Sequence, residues 1–339
     1  MEIIVPAAGL SSRFPNMRPK YLLADFKKKL MIESATKPYL NKYNVTIGVL
    51  KEHEEKYNAT KHLKSYLGDS INIVVIDGLT KGPADTVYQI IKRANINENS
   101  PILIKDCDSF FNHDITFDNY VCVSKISEHE ILKKLYSKSF TISNDQNIIN
   151  NIIEKKVVSD TFCVGGYAFR SAKLFCDSFE KIHVDKEIFV SHIIQHCIQE
   201  GEIFTEKNVS EYIDVGTSDD WFSYNDRPVF FCDIDGTIVK AQAHGDWHIE
   251  PMIIEKNVQK LLEYYKKGSQ FIFTTARPEI ARKDTEKMLK NLGFEKFECI
   301  FGLQNARRII INDYNHANPF PRAEAINIFR DSDNLEDFL

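Results

Sequence analysis

Three sets of side chains in this 339-residue chain have types and spacings suited to phosphate chemistry. The first is Asp233-Ile234-Asp235-Gly236-Thr237, which ends the apolar run Phe230-Phe231-Cys232. Carboxylates on alternate residues leave a strand on one side, and a tight Gly turn lets both reach one site. There one carboxylate can attack phosphorus while the other handles the proton. The second set is Lys105-Asp106-Cys107-Asp108 after Ile102–Ile104, with Asp214 in Tyr212-Ile213-Asp214-Val215-Gly216-Thr217. Acids at strand ends suit a hard divalent cation with oxygen ligands. Each alone is equally an ordinary helix cap or loop acid. The third set is the loop after the first apolar run. Its small residues Ala7, Ala8 and Gly9 let the backbone approach a phosphate, to which Ser11 and Ser12 can donate. Arg13 adds a fixed cation, and Lys20, after Pro19, a second. A single Gly in such a turn is as consistent with an ordinary tight turn.

More signals follow the first set in order. Phe271-Ile272-Phe273-Thr274-Thr275-Ala276-Arg277-Pro278 reads as a buried strand ending in hydroxyls, of which Thr275 is the better phosphate contact. Arg307-Arg308 then precede Ile309-Ile310-Ile311-Asn312-Asp313, a cation followed by a strand ending in an acid. His244, Trp247 and His248 are either substrate contacts or exposed loop packing, and they show no metal-ligand spacing.

Elements that could position these residues alternate along the chain. Strands are expected at Glu2 to Pro6, Val45–Leu50, Ile71–Ile76, Ile102–Ile104 and Phe162–Phe169. Helices are expected at Ala84–Ala94, Glu128–Leu135 and Glu187–Gln199. This alternation predicts an α/β fold with a mainly parallel sheet covered by helices. The polar, turn-rich stretch 223–228 ends in Pro and predicts a linker between domains at 1–222 and 229–339. A second αβ series follows it: strand Val229–Cys232, helix Lys256–Lys267, strand Phe271–Phe273, helix Ile280–Leu292 and strand Arg308–Ile311. Asp331–Leu339 reads as a loose acidic tail.

Composition is that of an ordinary globular protein, 43% hydrophobic and 27% charged. The net charge of −5 does not suggest a nucleic-acid partner. No run approaches the roughly 18 apolar residues of a membrane span, and the N-terminus lacks the pattern of a signal peptide. The seven scattered cysteines read as reduced thiols of a cytoplasmic protein. Oligomeric state stays open, a homo-oligomer included.

Residues 1 to about 222 resemble the sugar-phosphate nucleotidylyltransferases of the glycosyltransferase-A-like fold. The likeness rests on Ala7, Ala8, Gly9, Arg13, Pro19 and Lys20, on Gly82-Pro83-Ala84, and on Asp108, Glu154-Lys155, Gly165-Gly166 and Asp214. It implies a Rossmann-type sheet and transfer of a nucleotidyl group from a nucleoside triphosphate to a sugar, polyol or amino-alcohol phosphate, with release of pyrophosphate. Arg13 would hold the leaving phosphates and Lys20 bridge the reacting ones. Asp108 and Asp214 would hold Mg²⁺, with Asp106 as companion. Gly82, Pro83 and Ala84 would lie against the base, and Glu154, Lys155 and Gly166 against the acceptor. CTP is favoured among the donors because the pocket segments are compact.

Residues 229 to 339 resemble the haloacid-dehalogenase-like phosphatases, without room for a large cap. The resemblance implies that Asp233 is a nucleophile forming an aspartyl-phosphate and that Asp235 is the general acid and base. Asp313 would bind Mg²⁺ with Asp233 and Asp235, and Thr275 with Arg307 or Arg308 would stabilise the transferring phosphoryl group. Arg308 is favoured because it abuts the expected strand, and Asn312 stands where a second acid often occurs. Together the two resemblances imply a bifunctional enzyme that makes an activated precursor of a surface polysaccharide. The alternative is an active phosphatase carrying a binding or regulatory N-terminal module.

Overall fold

The first apolar run forms β1 (Glu2–Ala7), and its alternation sends Ile3 and Val5 to one face of the sheet and Ile4 to the other. All three are fully buried, so the strand is covered on both faces. The computed structural model describes residues 1–129, 135–182, 187–241, 249–313 and 323–339. It divides into two compact units, Met1–Ser223 and Tyr224–Leu339.

In the first unit β1 is followed by α1 (Met31–Thr36), β2 (Asn44–Leu50), α2 (Lys51–Tyr57), α3 (Ala59–Leu67), β3 (Asn72–Ile76) and α4 (Pro83–Arg93). Then come β4 (Ile102–Lys105), β5 (Ser109–Asn112), β6 (Tyr120–Lys125), β7 (Phe140–Ser143), β8 (Ile149–Ile153) and β9 (Thr161–Phe169). Helices α5 (Ala172–Lys181) and α6 (Val190–Gln199), strands β10 (Thr205–Asn208) and β11 (Ser210–Asp214), and α7 (Ser218–Asn225) complete the series. The main sheet runs β10-β6-β9-β4-β1-β2-β3, with β7 on β9 and β8 on β7. Its β4-β1-β2-β3 half is parallel, whereas β9 runs antiparallel to both β4 and β6. One core lies between the sheet and α4, α5 and α6, with Val87, Ile90, Phe175 and Ile194 at its centre. The other packs Tyr21, Ile32, Tyr39 and Leu63 on the opposite face. Among the described residues no helix is long and apolar enough to cross a membrane.

The second unit winds β12 (Val229–Asp233), α8 (Glu255–Lys266), β13 (Gln270–Thr274), α9 (Arg282–Asn291) and β14 (Glu298–Ile300) into a parallel sheet of order β12-β13-β14. Phe271, Phe273, Phe294 and Leu289 are its fully buried centre. Several expectations are corrected here. Arg308–Ile311 forms no strand: it is irregular, and Ile309 and Ile311 are 68% and 89% exposed. On β12, Val229 and Phe231 stay half exposed, because the described residues cover only the face that carries Phe230 and Cys232. The tail is not loose. Leu335 is buried, its amide donates to the side chain of fully buried Asn257, and Asn257 donates to Thr237 O and Ser332 O. The first residues of the expected linker, 223–225, are the last turn of α7. The ends of the expected helix at Glu128–Leu135 lie in short 3₁₀ turns, Ile126–Glu128 and Leu135–Ser137. Its middle, like His244, Trp247 and His248, lies outside the described residues.

Candidate active sites

Strands β1 and β4 are parallel neighbours, with Glu2 opposite Ile102 and Ile4 opposite Ile104. The loops leaving their C-terminal ends therefore open on the same edge of the sheet, where α/β units bind ligands. From the β1 loop, Lys20 Nζ donates to Asp108 Oδ2 at 2.5 Å. A third segment arrives through β11, which pairs antiparallel with β5 and sets Asp214 opposite Ser109. Val215 N then donates to Asp108 O at 3.0 Å. On the far side, Lys138 Nζ donates to Asp214 Oδ2 and to Tyr212 Oη, the latter at 3.0 Å. Gly216 serves as a ruler: a Cβ there would lie 3.1 Å from both Asp108 Oδ2 and Asp214 Oδ1, and 3.7 Å from Arg13 Nη1. The structure thus gathers Arg13, Lys20, Asp108 and Asp214 from three chain segments.

Charge is balanced within this cluster. Burial opposes ionisation of Asp108, but the ammonium of Lys20, with Arg13 and Lys138, overrides it and holds the carboxyl below the usual range. Burial likewise disfavours the charge on Lys20, and Asp108 more than offsets it, so the lysine is raised. Asp106 behaves differently. Burial and the neighbouring Asp108 push it up to about 6. It sits against Gly165, whose φ of +86° favours glycine and whose Cβ would fall 2.5 Å from Asp106 Oδ2. Lys105 is fully buried and donates to Asp106 O, Ser109 O and Ser109 Oγ at 2.7, 2.6 and 2.9 Å. Its three N–H groups pin the turn that carries both acids, and burial lowers its pKa to about 8.

Two carboxylates that share one point, each already matched by an ammonium, fit a divalent cation bound together with phosphates; Mg²⁺ takes one or two protein carboxylates and fills the rest from substrate and water. Among the described residues no three potential ligands gather at one point, so substrate and water would have to supply the rest.

The remaining first-unit residues divide. Ala7 and Ala8 are buried, so only their backbones can face a ligand. A Cβ on Gly9 would meet nothing within 4 Å, which leaves that side open for close approach. Ser11 accepts from Lys20 N at 3.1 Å, fixing the loop, and Ser12 is exposed. Gly82 has φ +128°, and a Cβ there would strike Ile188 O at 2.6 Å; Pro83 then opens α4, and Ala84 N donates to Ile188 O. Glu154 accepts from Ser139 and, at 2.6 Å, from Ser191. Lys155 lies 4.0 Å over the ring of Phe189 and 4.0 Å from Glu187, next to Ile188, so the segments expected to meet the acceptor and the base adjoin. Gly166 has its Cβ direction filled by the core. A Cβ on it would meet Cys122 and Phe111 at 2.8–2.9 Å, so it is glycine for core packing, and Gly165 is the one that abuts a site acid. Lys138, Lys105 and Gly165 were not assigned roles from sequence. Lys138 pairs with the carboxylate of Asp214 and Gly165 abuts that of Asp106, whereas Lys105 holds backbone and Ser109 oxygens of the acid turn; a search for cations beside strand ends flags Lys105 alone.

In the second unit Asp233 Oδ1 accepts from Arg308 Nη2 at 3.1 Å, and Thr237 Oγ1 donates to Asp233 Oδ2 at 3.4 Å. Burial pushes the Asp233 carboxyl up, Arg308 pulls it back and Asp235 adds to the rise. Thr275 Oγ1 donates to Asp235 Oδ2 at 3.3 Å. The unforeseen partner is Arg277, 2% exposed, whose Nε and Nη2 reach both oxygens of Asp235 at 2.6–3.1 Å. Asp235 is thus clamped by a buried guanidinium. Asp313 is exposed on the irregular segment, without the strand that was expected to present it.

No family model and no curated protein matches the sequence. Solved structures do. A nucleoside-diphosphate-sugar pyrophosphorylase from Vibrio cholerae RC9 is 17% identical with a TM-score of 0.56, covering 65% of this chain and 98% of its own. The inositol-1-phosphate CTP transferase from T. maritima is 17% identical with a TM-score of 0.53, covering 65% and 90%. A UDP-glucose pyrophosphorylase complexed with UDP-glucose is 16% identical with a TM-score of 0.50, covering 66% and 95%. The likeness is one of fold, over a share of the chain close to that of Met1–Ser223.

Proposed function

We propose that the first unit transfers a nucleotidyl group from a nucleoside triphosphate to the phosphate of a small sugar, polyol or amino-alcohol. The observation that carries this reading is the convergence of Lys20, Asp108, Asp214 and Arg13 beside the open loop after β1. In the reaction an oxygen of the acceptor's phosphate attacks the α-phosphorus and a new P–O bond forms. The bond from that phosphorus to its bridging oxygen breaks, and pyrophosphate leaves with the electron pair, so no proton need move. Such chemistry asks for positioning and charge neutralisation. Arg13 and the amides near Gly9 hold the leaving phosphates, and Lys20 spans the reacting ones. Asp108 and Asp214 would hold Mg²⁺, which neutralises phosphate charge when bound. Gly82, Pro83 and Ala84 support the base, and Glu154 and Lys155 the acceptor.

For the second unit we propose phosphomonoester hydrolysis with Asp233 as nucleophile. Its support is the placement of Arg308 on Asp233 and of Thr275 and Arg277 on Asp235. A phosphatase acting on the transferase's acceptor would be futile. Its substrate is therefore a different phosphate, on a bisphosphate precursor or on a later product of the route to a surface polysaccharide.

Pyrophosphate release should be assayed with each nucleoside triphosphate against sugar, polyol and amino-alcohol phosphates. CTP with a polyol phosphate leads the panel, since one fold neighbour is named an inositol-1-phosphate CTP transferase. Lys20→Ala should abolish transfer and spare phosphate release, and Asp233→Asn should do the reverse. Loss of both activities from either change would defeat the assignment of two independent sites.

A further inference from the structure

The stretch just before β7 touches both halves of the transferase site. Lys138 Nζ is paired with Asp214, while Lys138 O accepts from Lys155 N at 3.0 Å. The next residue, Ser139, donates its hydroxyl to Glu154. Lys138 therefore stands between a candidate cation ligand and the two residues on the acceptor side. Its side chain is 18% exposed and that of Asp214 25%.

The cluster holds one ammonium per acid: Lys20 on Asp108, Lys138 on Asp214. Were both carboxylates to hold a divalent cation, Lys20 and Lys138 would each lose the anion that now offsets their charge. An ammonium left unpaired in a mostly buried place is unfavourable, so each lysine needs a replacement anion. Lys20, at the end of the β1 loop, meets the phosphates of the nucleotide. Lys138 comes from a different segment, contiguous with Glu154 and Lys155, where the second phosphate-bearing ligand must lie. Tyr212 Oη, 3.0 Å from Lys138 Nζ, keeps the ammonium near the site when Asp214 is taken.

We propose that Lys138 binds the acceptor's phosphate, resting on Asp214 in the free protein and passing to that phosphate when cation and acceptor fill the site. The inference deepens the nucleotidyl-transfer reading and rests on it. One consequence is mutual support: a cation on Asp214 frees Lys138 for the acceptor, and the acceptor's phosphate draws Lys138 off Asp214. Cation and acceptor should therefore bind more tightly together than apart.

The test has two arms. In the first, Mn²⁺ binding to the free protein is followed by electron paramagnetic resonance. Lys138→Met should tighten it at least tenfold, because Asp214 loses its competitor; unchanged affinity would overturn the resting pair. In the second arm, steady-state transfer is measured on the acceptor found in the panel. Lys138→Met should raise the acceptor KM at least tenfold and leave the nucleotide KM within threefold, and Lys138→Arg should recover part of the loss. An unchanged acceptor KM, or an equal rise in both, would overturn the assignment. Should Lys138→Met fail to fold, Tyr212→Phe takes its place, with a smaller rise confined to the acceptor KM expected. A wild-type protein inert toward the whole panel would instead refute the transfer reading, and the Mn²⁺ arm would still judge the pairing.

Discussion

The pair Lys20–Asp108 can be tested by a double-mutant cycle on stability, without any substrate. The two side chains are 20% and 14% exposed and meet at 2.5 Å. At an effective dielectric of about 20 their attraction is roughly 7 kcal/mol, most of it consumed by the cost of taking two ions out of water. The net worth of the intact pair is therefore small, yet removing one partner leaves the other charge stranded. Lys20→Met and Asp108→Asn should each cost about 3 kcal/mol. The double variant removes both charges and should cost no more than about 1 kcal/mol, giving a coupling of roughly 5 kcal/mol. Urea unfolding of the first unit is the assay. In a Trp247→Phe background buried Trp221 is the remaining tryptophan and reports on that unit. Costs that simply add, with coupling below about 0.5 kcal/mol, would show that the two groups do not meet in solution and would remove the central contact of the site.

Three more outcomes are expected. His113 is held down to about 4 by burial and by Lys105 and Lys207, so between that pH and 6.5 the unfolded chain binds more protons. Its contribution should be complete above pH 6.5 and fade toward pH 4, and the pH slope of unfolding free energy in that window should flatten by about 3 kcal/mol in total in His113→Phe. Gly165→Ala places a Cβ 2.5 Å from Asp106 Oδ2 at a φ of +86°, so it should cost about 2 kcal/mol in thermal or urea unfolding and reduce transfer by displacing the acid loop. Arg277→Met leaves Asp235 without its clamp; phosphate release should be lost and the second unit destabilised by about 3 kcal/mol, read by calorimetry.

Parts of this are legible in the sequence because they are local. An apolar strand buried on both faces and followed at once by a polar turn, small residues after β1 and acids after β4, can hardly fold otherwise than as a buried strand with a loop at its end. The same signal misled at Arg308–Ile311, where three β-branched residues in a row lie exposed in an irregular segment. β-Propensity reports fitness for a pleated, half-buried surface, and none of the described strands pairs with that segment. The acidic tail erred in the other direction. Its composition reads as solvated, but one apolar residue, Leu335, and one buried amide, Asn257, tie it down.

By itself the sequence determined the acids, their order and the strand ends that carry them: Asp108, Asp214, Asp233 and Asp235 each follow an apolar run or a single apolar residue. Only the tertiary structure decided what those acids face. Lys138 reaches Asp214 because β11 pairs with β5 and sets Asp214 at the acid loop, a meeting of residues 76 apart in the chain. Arg277 reaches Asp235 across 42 residues because β12 and β13 are parallel neighbours. The spacing of charges along a chain says nothing about which opposite charge will be brought within 3 Å. That is settled by strand pairing and by the burial that makes an unpaired charge too costly to keep.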